Sequence, residues 1–499
     1  MSIYSRIVKI ILPILILIHS LLFILFWMTN GLFYTETNDY LTRMLGLRFD
    51  YISLFLVLSL LIAIWSGVRL FTFKKGINHR LATLTSILYL ILGVLYLVFF
   101  YGSFWMLFQK SPVQIPRLIQ LFSYYRVFLD ALILLGISVG MGLIVKRFYL
   151  RKKQAGKKIS FLPLILSVVI LALIWGAAAG VPPGSVYTGE LPAKPLLIAH
   201  RGASMVAPEN TLAAATLAAS FGIYGLETDI HISQDGQPFL LHDDTFDRTT
   251  NVEEVYPARV KDRAEYFSLA EATLLDAGSW FVERDPYKTI KNGQVSEGQI
   301  AEYLSQTIPV LEDELKIVKE NGLNFIYDIK QPPEDHPSAQ NYFGMVLSSI
   351  HAMGIDPQVW VLADLQQKEL VQSIAPEMKL AYGIKYQNPP STSELTSNGY
   401  QVVNSEYGIS NDWIRAYQDA GLWVNLYTID EPWQFSRLWL LGVDSTTSSN
   451  VHSLFTLYKP VMSMTYQVYL LLWCLVGLAG LGILLGFILP TYRRVKQPG

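Results

Sequence analysis

Residues 196–244 read LLIAHRGASMVAPENTLAAATLAASFGIYGLETDIHISQDGQPFLLHDD. Three short apolar runs in this stretch carry groups that bind metal or move protons. His200 and Arg201 close the first, Glu227 and Asp229 sit in the second, and His242 and Asp243 follow the third. Between the first two runs, NTLAAATLAASFG (210–222) has helical character, and Asn210 is suited to cap its start. A barrel of parallel strands wrapped by helices places its chemistry at the C-terminal ends of the strands, so these groups are expected to meet at one mouth.

Working outward, short runs rich in β-branched and aromatic residues read as strands near 196–200, 225–232, 238–242, 324–330, 358–363, 379–384, 402–406, 422–428 and 442–447. Helical patterns such as LEDELKIVKENG (311–322) alternate with several of them. Strand–helix alternation over 196–455 predicts an α/β fold, a TIM-type (β/α)8 barrel. Nine candidates for eight places mean that one is irregular. The polar segment 246–307 breaks the alternation and reads as a small insertion over the mouth, where loops select substrate. QPPEDHPSAQ (331–340) reads as an extended loop at its edge.

With 499 residues, 52% of them hydrophobic and only 16% charged, the chain is expected to hold more than one unit and several membrane spans. Apolar stretches occupy roughly 7–29, 51–72, 83–108, 124–145 and 160–180, with another at 466–489; each is long enough to cross a hydrocarbon core. This predicts a membrane domain of five transmembrane helices over 1–181, a linker at 182–195, the barrel, a C-terminal transmembrane helix and a tail at 490–499. Basic residues cluster at Arg6 and Lys9, at Lys74, Lys75 and Arg80, between Lys146 and Lys158, and at Arg493, Arg494 and Lys496. The positive-inside rule then places both termini in the cytoplasm and the barrel outside, in a multi-pass protein of the plasma membrane. The lipid bilayer is thus an expected partner. A net charge of -1 offers no affinity for nucleic acid. The single cysteine, Cys474, excludes an intramolecular disulfide and a thiolate metal cluster. Asp130 lies one helical turn beyond Arg126 and reads as its ion-pair partner rather than as a transport residue. Gly136/Gly140 and Gly482/Gly486 have the spacing for close helix packing.

Glu227 and Asp229 stand two apart on a strand and so share a face. Two carboxylates aimed at one point call for a cation between them, and Asp328 on a later strand can supply a third. An all-oxygen set suits Ca²⁺ or Mg²⁺. His231 shares the face further along and reads as a structural or pocket-wall residue rather than a ligand. His200 and His242, at the ends of different strands, suit the acid and base roles that phosphodiester cleavage requires. Arg201 and Lys330 can bind a phosphoryl group. Glu209 and Asn210 read equally as helix-start residues or site residues.

HRGA (200–203), PENT (208–211), ETDI (227–230), HDD (242–244), RTT (248–250), DAGSWF (276–281), IPVLEDEL (308–315) and DIK (328–330) follow one another in an order that resembles the glycerophosphodiester phosphodiesterase family, in its multi-pass membrane branch. The resemblance covers nearly all of 195–450. It implies a divalent cation held by Glu227, Asp229 and Asp328, and acid–base catalysis by His200 and His242. It also implies phosphate binding by Arg201, with Glu209, Lys330 and Trp280 completing the site. Many relatives have Glu where this chain has Asp328. Their Gly-Ile-Ile-Thr-Asp ending reads Ser445-Thr446-Thr447-Ser448-Ser449 here, without the aspartate. The expected activity is hydrolysis of a glycerophosphodiester to glycerol 3-phosphate and an alcohol. The alternatives are a lipid-directed phosphodiesterase acting on a lysophospholipid or a lipid anchor, and a non-catalytic sensor or transporter.

Overall fold

The computed structural model describes residues 12–29, 34, 37–38, 41–42, 47, 49–72, 87–98, 114–156 and 158–496. The chain divides into two compact units. One holds Met1–Leu118, Pro195–Glu431 and Val443–Leu457, and the other Ile119–Lys194, Pro432–Gly442 and Tyr458–Gly499. Strands along the chain are β1 (Val186–Tyr187), β2 (Leu196–His200), β3 (Gly225–Ile232), β4 (Pro238–Leu240), β5 (Asn324–Ile329) and β6 (Val359–Leu362). They continue as β7 (Lys379–Ile384), β8 (Val402–Glu406), β9 (Trp423–Tyr427), β10 (Ser445–Ser448) and β11 (Met464–Thr465).

In the first unit, β2, β3, β5, β6, β7, β8, β9 and β10 pair in parallel, and a β2–β3 pairing closes the ring. This is the (β/α)8 barrel. The surplus ninth candidate is β4, which pairs antiparallel with β3 through Ile230↔Leu240, His231↔Phe239 and Ile232↔Pro238. Too few residues separate β3 from β4 for the crossover that a parallel partner needs, whereas a tight hairpin fits. Gly236 takes a φ of 78° in that turn, and the Ser233 hydroxyl accepts from the Gln237 amide at 3.0 Å. His242 therefore does not end a barrel strand. It reaches the mouth because β4 leads the chain back down, and the Leu241 amide donates to the Asp229 carbonyl at 3.2 Å.

The lower interior is apolar: Ile198, Ile326, Trp360, Ala381 and Val402 pack together, with Tyr224 and Trp423 against them. Higher up the interior turns polar. Asn425 Nδ2 donates to Asn404 Oδ1 (2.7 Å) and Thr447 Oγ1 (2.8 Å), and Ser445 Oγ donates to Asn425 Oδ1 (2.8 Å). The Asn425 amide is thus satisfied on both its nitrogen and its oxygen, as burial requires. The insertion folds with β4 around its own core of Phe239, Phe246, Phe267, Leu275 and Ile308.

Among the described residues, four helices have segments long and apolar enough to cross a membrane: Tyr51–Val68, Pro116–Gln154, Leu162–Ala179 and Tyr466–Val495. The stretches expected at 7–29 and 83–108 lie partly outside the described residues, which hold the apolar segments Leu12–Leu21 and Ile87–Val98. Arg6, Lys9, Lys74, Lys75 and Arg80 also lie outside them. The span expected at 124–145 is the middle of a longer helix, Gln114–Gln154. Its last turn carries Arg151, Lys152 and Lys153, where cations suit the helix dipole.

In the second unit, Arg126 Nε donates to Asp130 Oδ2 at 3.0 Å, so the acid within this apolar helix is paired as expected. Among the described residues nothing packs closely on the expected glycine pairs: a Cβ on Gly136, Gly140, Gly482 or Gly486 would meet nothing within 4 Å. Gly142, Gly477 and Gly480 are the close contacts, against Phe487, Trp175 and Ser138. Trp175 and Trp473 each donate an indole N–H to the other's backbone carbonyl, at 2.9 and 3.0 Å.

Candidate active site at the barrel mouth

The turn after β2 has a left-handed backbone at three residues, Arg201 (φ 55°), Gly202 (φ 77°) and Asn210 (φ 52°). At Gly202 a side chain is excluded twice over, since a Cβ would come within 2.6 Å of the Ala214 backbone. The helix Leu212–Ser220 can therefore press against the turn, and the Ala203 amide donates to the Ala214 carbonyl at 3.0 Å. Asn210 is not the helix cap. Thr211 is, its hydroxyl accepting from the Ala214 amide at 3.2 Å. Asn210 instead turns inward and donates Nδ2–H to Asp229 Oδ2 at 3.1 Å.

Strand register brings the predicted residues level. His200 pairs with Glu227 across β2 and β3, and Asp229 with Asp328 across β3 and β5. A cleft of about 480 Å³ opens over them, lined by His200, Arg201, Glu227, Asp229, His242, Asp328 and Lys330 on one side. Glu209 and Trp280 do not line it. The insertion 246–307, expected to supply substrate contacts, contributes no lining residue among the described residues. The opposite wall comes from the ends of β7 to β10.

Charge on the predicted wall alternates. Arg201 lies 2.9 Å from Glu209 Oε1 and 3.1 Å from Asp229 Oδ2, and Lys330 Nζ lies 2.8 Å from Asp229 and 2.7 Å from Asp328. Burial works to raise the Asp229 pKa, but Arg201 and then Lys330 bring it down to about 2. Glu227 goes the other way: burial, and then repulsion from Asp229, push its carboxyl well above the usual range. His200 is pushed down to about 3, by burial first and then by Arg201, so its imidazole is neutral at physiological pH.

Arg248 is the main residue that sequence reasoning passed over. Its guanidinium grips Glu209 through two hydrogen bonds (2.9 and 2.7 Å) and also donates Nη2–H to Asp243 at 3.0 Å. Asp243 in turn accepts from His242 Nδ1 at 2.7 Å. An unbroken alternation of charge thus runs Asp229–Arg201–Glu209–Arg248–Asp243–His242. Glu209, only 8% exposed at its side chain, serves this chain of contacts from behind the cleft. Trp280 is buried, donates its indole N–H to the Ala277 carbonyl (2.9 Å) and lies 5.9 Å beneath the Arg248 guanidinium. Only the position of Arg248 in the RTT motif hinted at this role, because its partners are distant in sequence. His231 is structural, as expected: fully buried, with Nδ1 at 2.9 Å from Glu265.

The departure from the family pattern at 445–449 acquires a physical meaning. Ser449 Oγ lies 2.9 Å from His200 Nδ1, and its amide donates to Asp430 Oδ1 at 2.7 Å. Ser448 Oγ donates to the same oxygen at 3.1 Å. Asp430 is partly buried, and burial raises its pKa. The hydroxyl at 449 thus holds the His200 ring, with a carboxyl one step behind it.

Among the described residues, no three His, Cys, Asp or Glu side chains stand close enough together to hold a metal ion. The Lys330 ammonium stands between Asp229 and Asp328. The donor chemistry nevertheless fits a hard divalent cation. Three carboxylates line one cleft without a thiolate, and Glu227 stands level with His200 with its ionised form disfavoured by burial and by Asp229.

The sequence profile of the glycerophosphoryl diester phosphodiesterase family matches residues 200–452. A chicken (Gallus gallus) glycerophosphodiester phosphodiesterase domain-containing protein 5 is 37% identical over 60% of this chain and 49% of its own length. A human (Homo sapiens) glycerophosphoinositol inositolphosphodiesterase is 33% identical over 73% of this chain and 67% of its own. The chain thus spans about half to two thirds of the length of these relatives. Among solved structures, a phosphodiesterase of Oleispira antarctica in complex with sn-glycerol-3-phosphate covers 52% of this chain and 95% of its own, at 23% identity and a TM-score of 0.42. With a family profile spanning the barrel from His200 to His452, this chain belongs to the glycerophosphoryl diester phosphodiesterase family.

Proposed function

We propose that this chain is a divalent-cation-dependent phosphodiesterase that hydrolyses a glycerophosphodiester to glycerol 3-phosphate and an alcohol. The observation that carries the reading is the meeting, in one cleft, of two histidines with engaged Nδ1 atoms beside three carboxylates. Burial raises the Asp243 pKa, but its bonds to His242 and Arg248 outweigh this and keep it ionised. An ionised carboxylate only accepts, so Nδ1–H of His242 donates to it, and Nε2 is left to exchange a proton. His200, with Nδ1–H toward Ser449, likewise keeps Nε2 for the cleft, and its neutral form is the one a base needs.

The substrate's own neighbouring hydroxyl attacks phosphorus and gives its proton to His200 Nε2. The leaving alkoxide takes a proton from His242 Nε2. Water then opens the cyclic phosphate with the two roles exchanged. Arg201 and Lys330 offset charge growing on the phosphoryl oxygens. Glu209, through Arg201 and Arg248, and Trp280, beneath Arg248, hold these groups in place. A divalent cation held by Glu227, Asp229 and Asp328, either Ca²⁺ or Mg²⁺, supplies Lewis-acid polarisation of a phosphoryl oxygen when bound.

The same reading makes the chain a multi-pass protein of the plasma membrane. Five N-terminal helices over 1–181, a linker at 182–195 and a C-terminal helix over 466–489 flank an extracytoplasmic barrel at 196–455. The four long apolar helices, and basic residues such as Arg151–Lys153 and Arg493–Arg494, support it. The human relative's printed name makes glycerophosphoinositol a candidate diester.

The test uses the full chain in detergent with glycerophosphocholine, glycerophosphoinositol and lysophosphatidylcholine, with and without EDTA. Glycerol 3-phosphate is expected, and is expected to vanish with EDTA and with His200→Ala. Lysophosphatidic acid as the sole product would move the enzyme to lipid substrates. Turnover that survives both EDTA and His200→Ala would sink the reading.

A further inference from the structure

In the closed ring, β7 stands four places from β2 in either direction, so Lys385, next after β7, faces His200 and Arg201 across the mouth. Lys385 is exposed and lines the cleft. The other cations of the cleft are engaged: Arg201 by Glu209 and Asp229, Lys330 by Asp229 and Asp328. Among the described residues Lys385 has no ion pair. Beside it, Asn404 and Thr447 also line the cleft. The Asn404 carbonyl is taken by Asn425, which leaves its NH₂ to offer a ligand. Thr447 Oγ1 accepts from the same Asn425 amide, which leaves its O–H to donate. This wall therefore presents donors, and no carboxylate.

A cationic alcohol is poorly matched to such a wall. An ethanolamine ammonium needs acceptors and would meet another ammonium. A choline group calls for an aromatic cage, and Tyr427 is the one aromatic residue lining the cleft among the described residues. Hydroxyls and anionic oxygens, in contrast, accept from all three groups.

Resting on the phosphodiesterase reading, which puts phosphorus at the carboxylate wall, we propose that Lys385 is a specificity-determining residue that selects glycerophosphodiesters whose alcohol is an uncharged polyol or carries negative charge. Selection acts through like-charge repulsion of the wrong head group as much as through attraction of the right one.

The test measures kcat/KM of the full chain in detergent, with Mg²⁺ or Ca²⁺, on glycerophosphocholine, glycerophosphoethanolamine, glycerophosphoglycerol and glycerophosphoinositol 4-phosphate. The unaltered enzyme is expected to favour the last two by about tenfold or more, the scale of one charge-assisted contact partly screened by solvent. Lys385→Glu is expected to invert the order, raising the two cationic substrates and lowering the phosphorylated one. Lys385→Met should fall between. A uniform change across all four substrates, or none, would overturn the assignment while leaving the phosphodiesterase reading intact. Failure of the unaltered enzyme to turn over any of the four would remove both.

Discussion

Across the mouth, the wall from β2, β3 and β5 carries Arg201, Glu227, Asp229, Asp328 and Lys330, whereas the wall from β7 to β10 carries Lys385 and otherwise no charged residue lining the cleft. On the first wall each cation touches two carboxylates, so removing one group leaves another buried without its partner. On the second, the polar groups bond within their own layer and leave single donors facing the cleft. Such a wall can change one residue without disturbing the rest. Under the proposed function the difference separates chemistry from selection: the linked wall is assigned the reaction, and the unlinked wall is where head-group preference can vary.

The sharpest break of this contrast comes from the reacting side. His242→Ala should lower kcat by about 10²–10⁴-fold on every diester, the usual contribution of acid–base catalysis, with thermal stability nearly unchanged. Loss of activity toward some diesters only would mean that the two walls are not separable in this way.

Arg248→Ala should act on both stability and rate. It leaves Glu209 behind the cleft with Arg201 alone and frees Asp243, at about 2 kcal/mol after allowance for the part-exposed guanidinium. Because Asp243 orients His242, kcat should fall by about tenfold or more while KM holds. Denaturant unfolding and steady-state kinetics on one preparation would check both. A stability loss with unchanged kcat would show the His242 ring to be held by other means.

Ser449→Ala removes the partner of His200 Nδ1 and should cost about 1 kcal/mol of stability, with a several-fold fall in kcat. Ser449→Thr should restore the rate, since it returns the hydroxyl. Equal rates for the alanine and threonine variants would remove Ser449 from the site.

The smallest effect on the reaction belongs to Glu314, on the helix Leu311–Asn321 behind β3. It accepts from the Thr228 hydroxyl at 2.9 Å. Burial pushes its pKa from 4.5 to about 8. The folded state thus keeps a proton that the unfolded chain has lost. Stability from this group is present below pH 4.5 and declines as pH rises toward 8. Glu314→Gln should match the parent near pH 4, yet hold its Tm from pH 5 to 8 where the parent declines. Parallel Tm profiles for the two from pH 5 to 9 would contradict this.

His200, the three carboxylates, Arg201 and Lys330 were legible in the sequence because each follows or sits in a short apolar run, and strand ends in a parallel barrel point to one place, whereas His242 was legible by residue type but arrives from the antiparallel β4. The helical character of 212–220 and 311–321 was legible for a similarly local reason: apolar residues keep helical spacing there. Other features were not local. The 238–240 run has the residues of a barrel strand, and only its pairing with β3 shows that it turns back. Asn210 has the residue type of a cap, yet the partner that decides its role is Asp229, on another strand. Trp280 and Glu209 belong to the site's motifs but stand behind Arg201 and Arg248 rather than in the cleft.

By itself, then, the sequence determined the fold class, the apolar helices and which residue types line the linked wall, since periodicity and residue type are carried by neighbours along the chain. Tertiary structure alone decided which acids meet which bases, how Ser449 and Arg248 come to hold the two histidines, and that Lys385 faces them across the mouth. Those facts depend on strand order and register around a closed ring, which no local stretch of residues encodes.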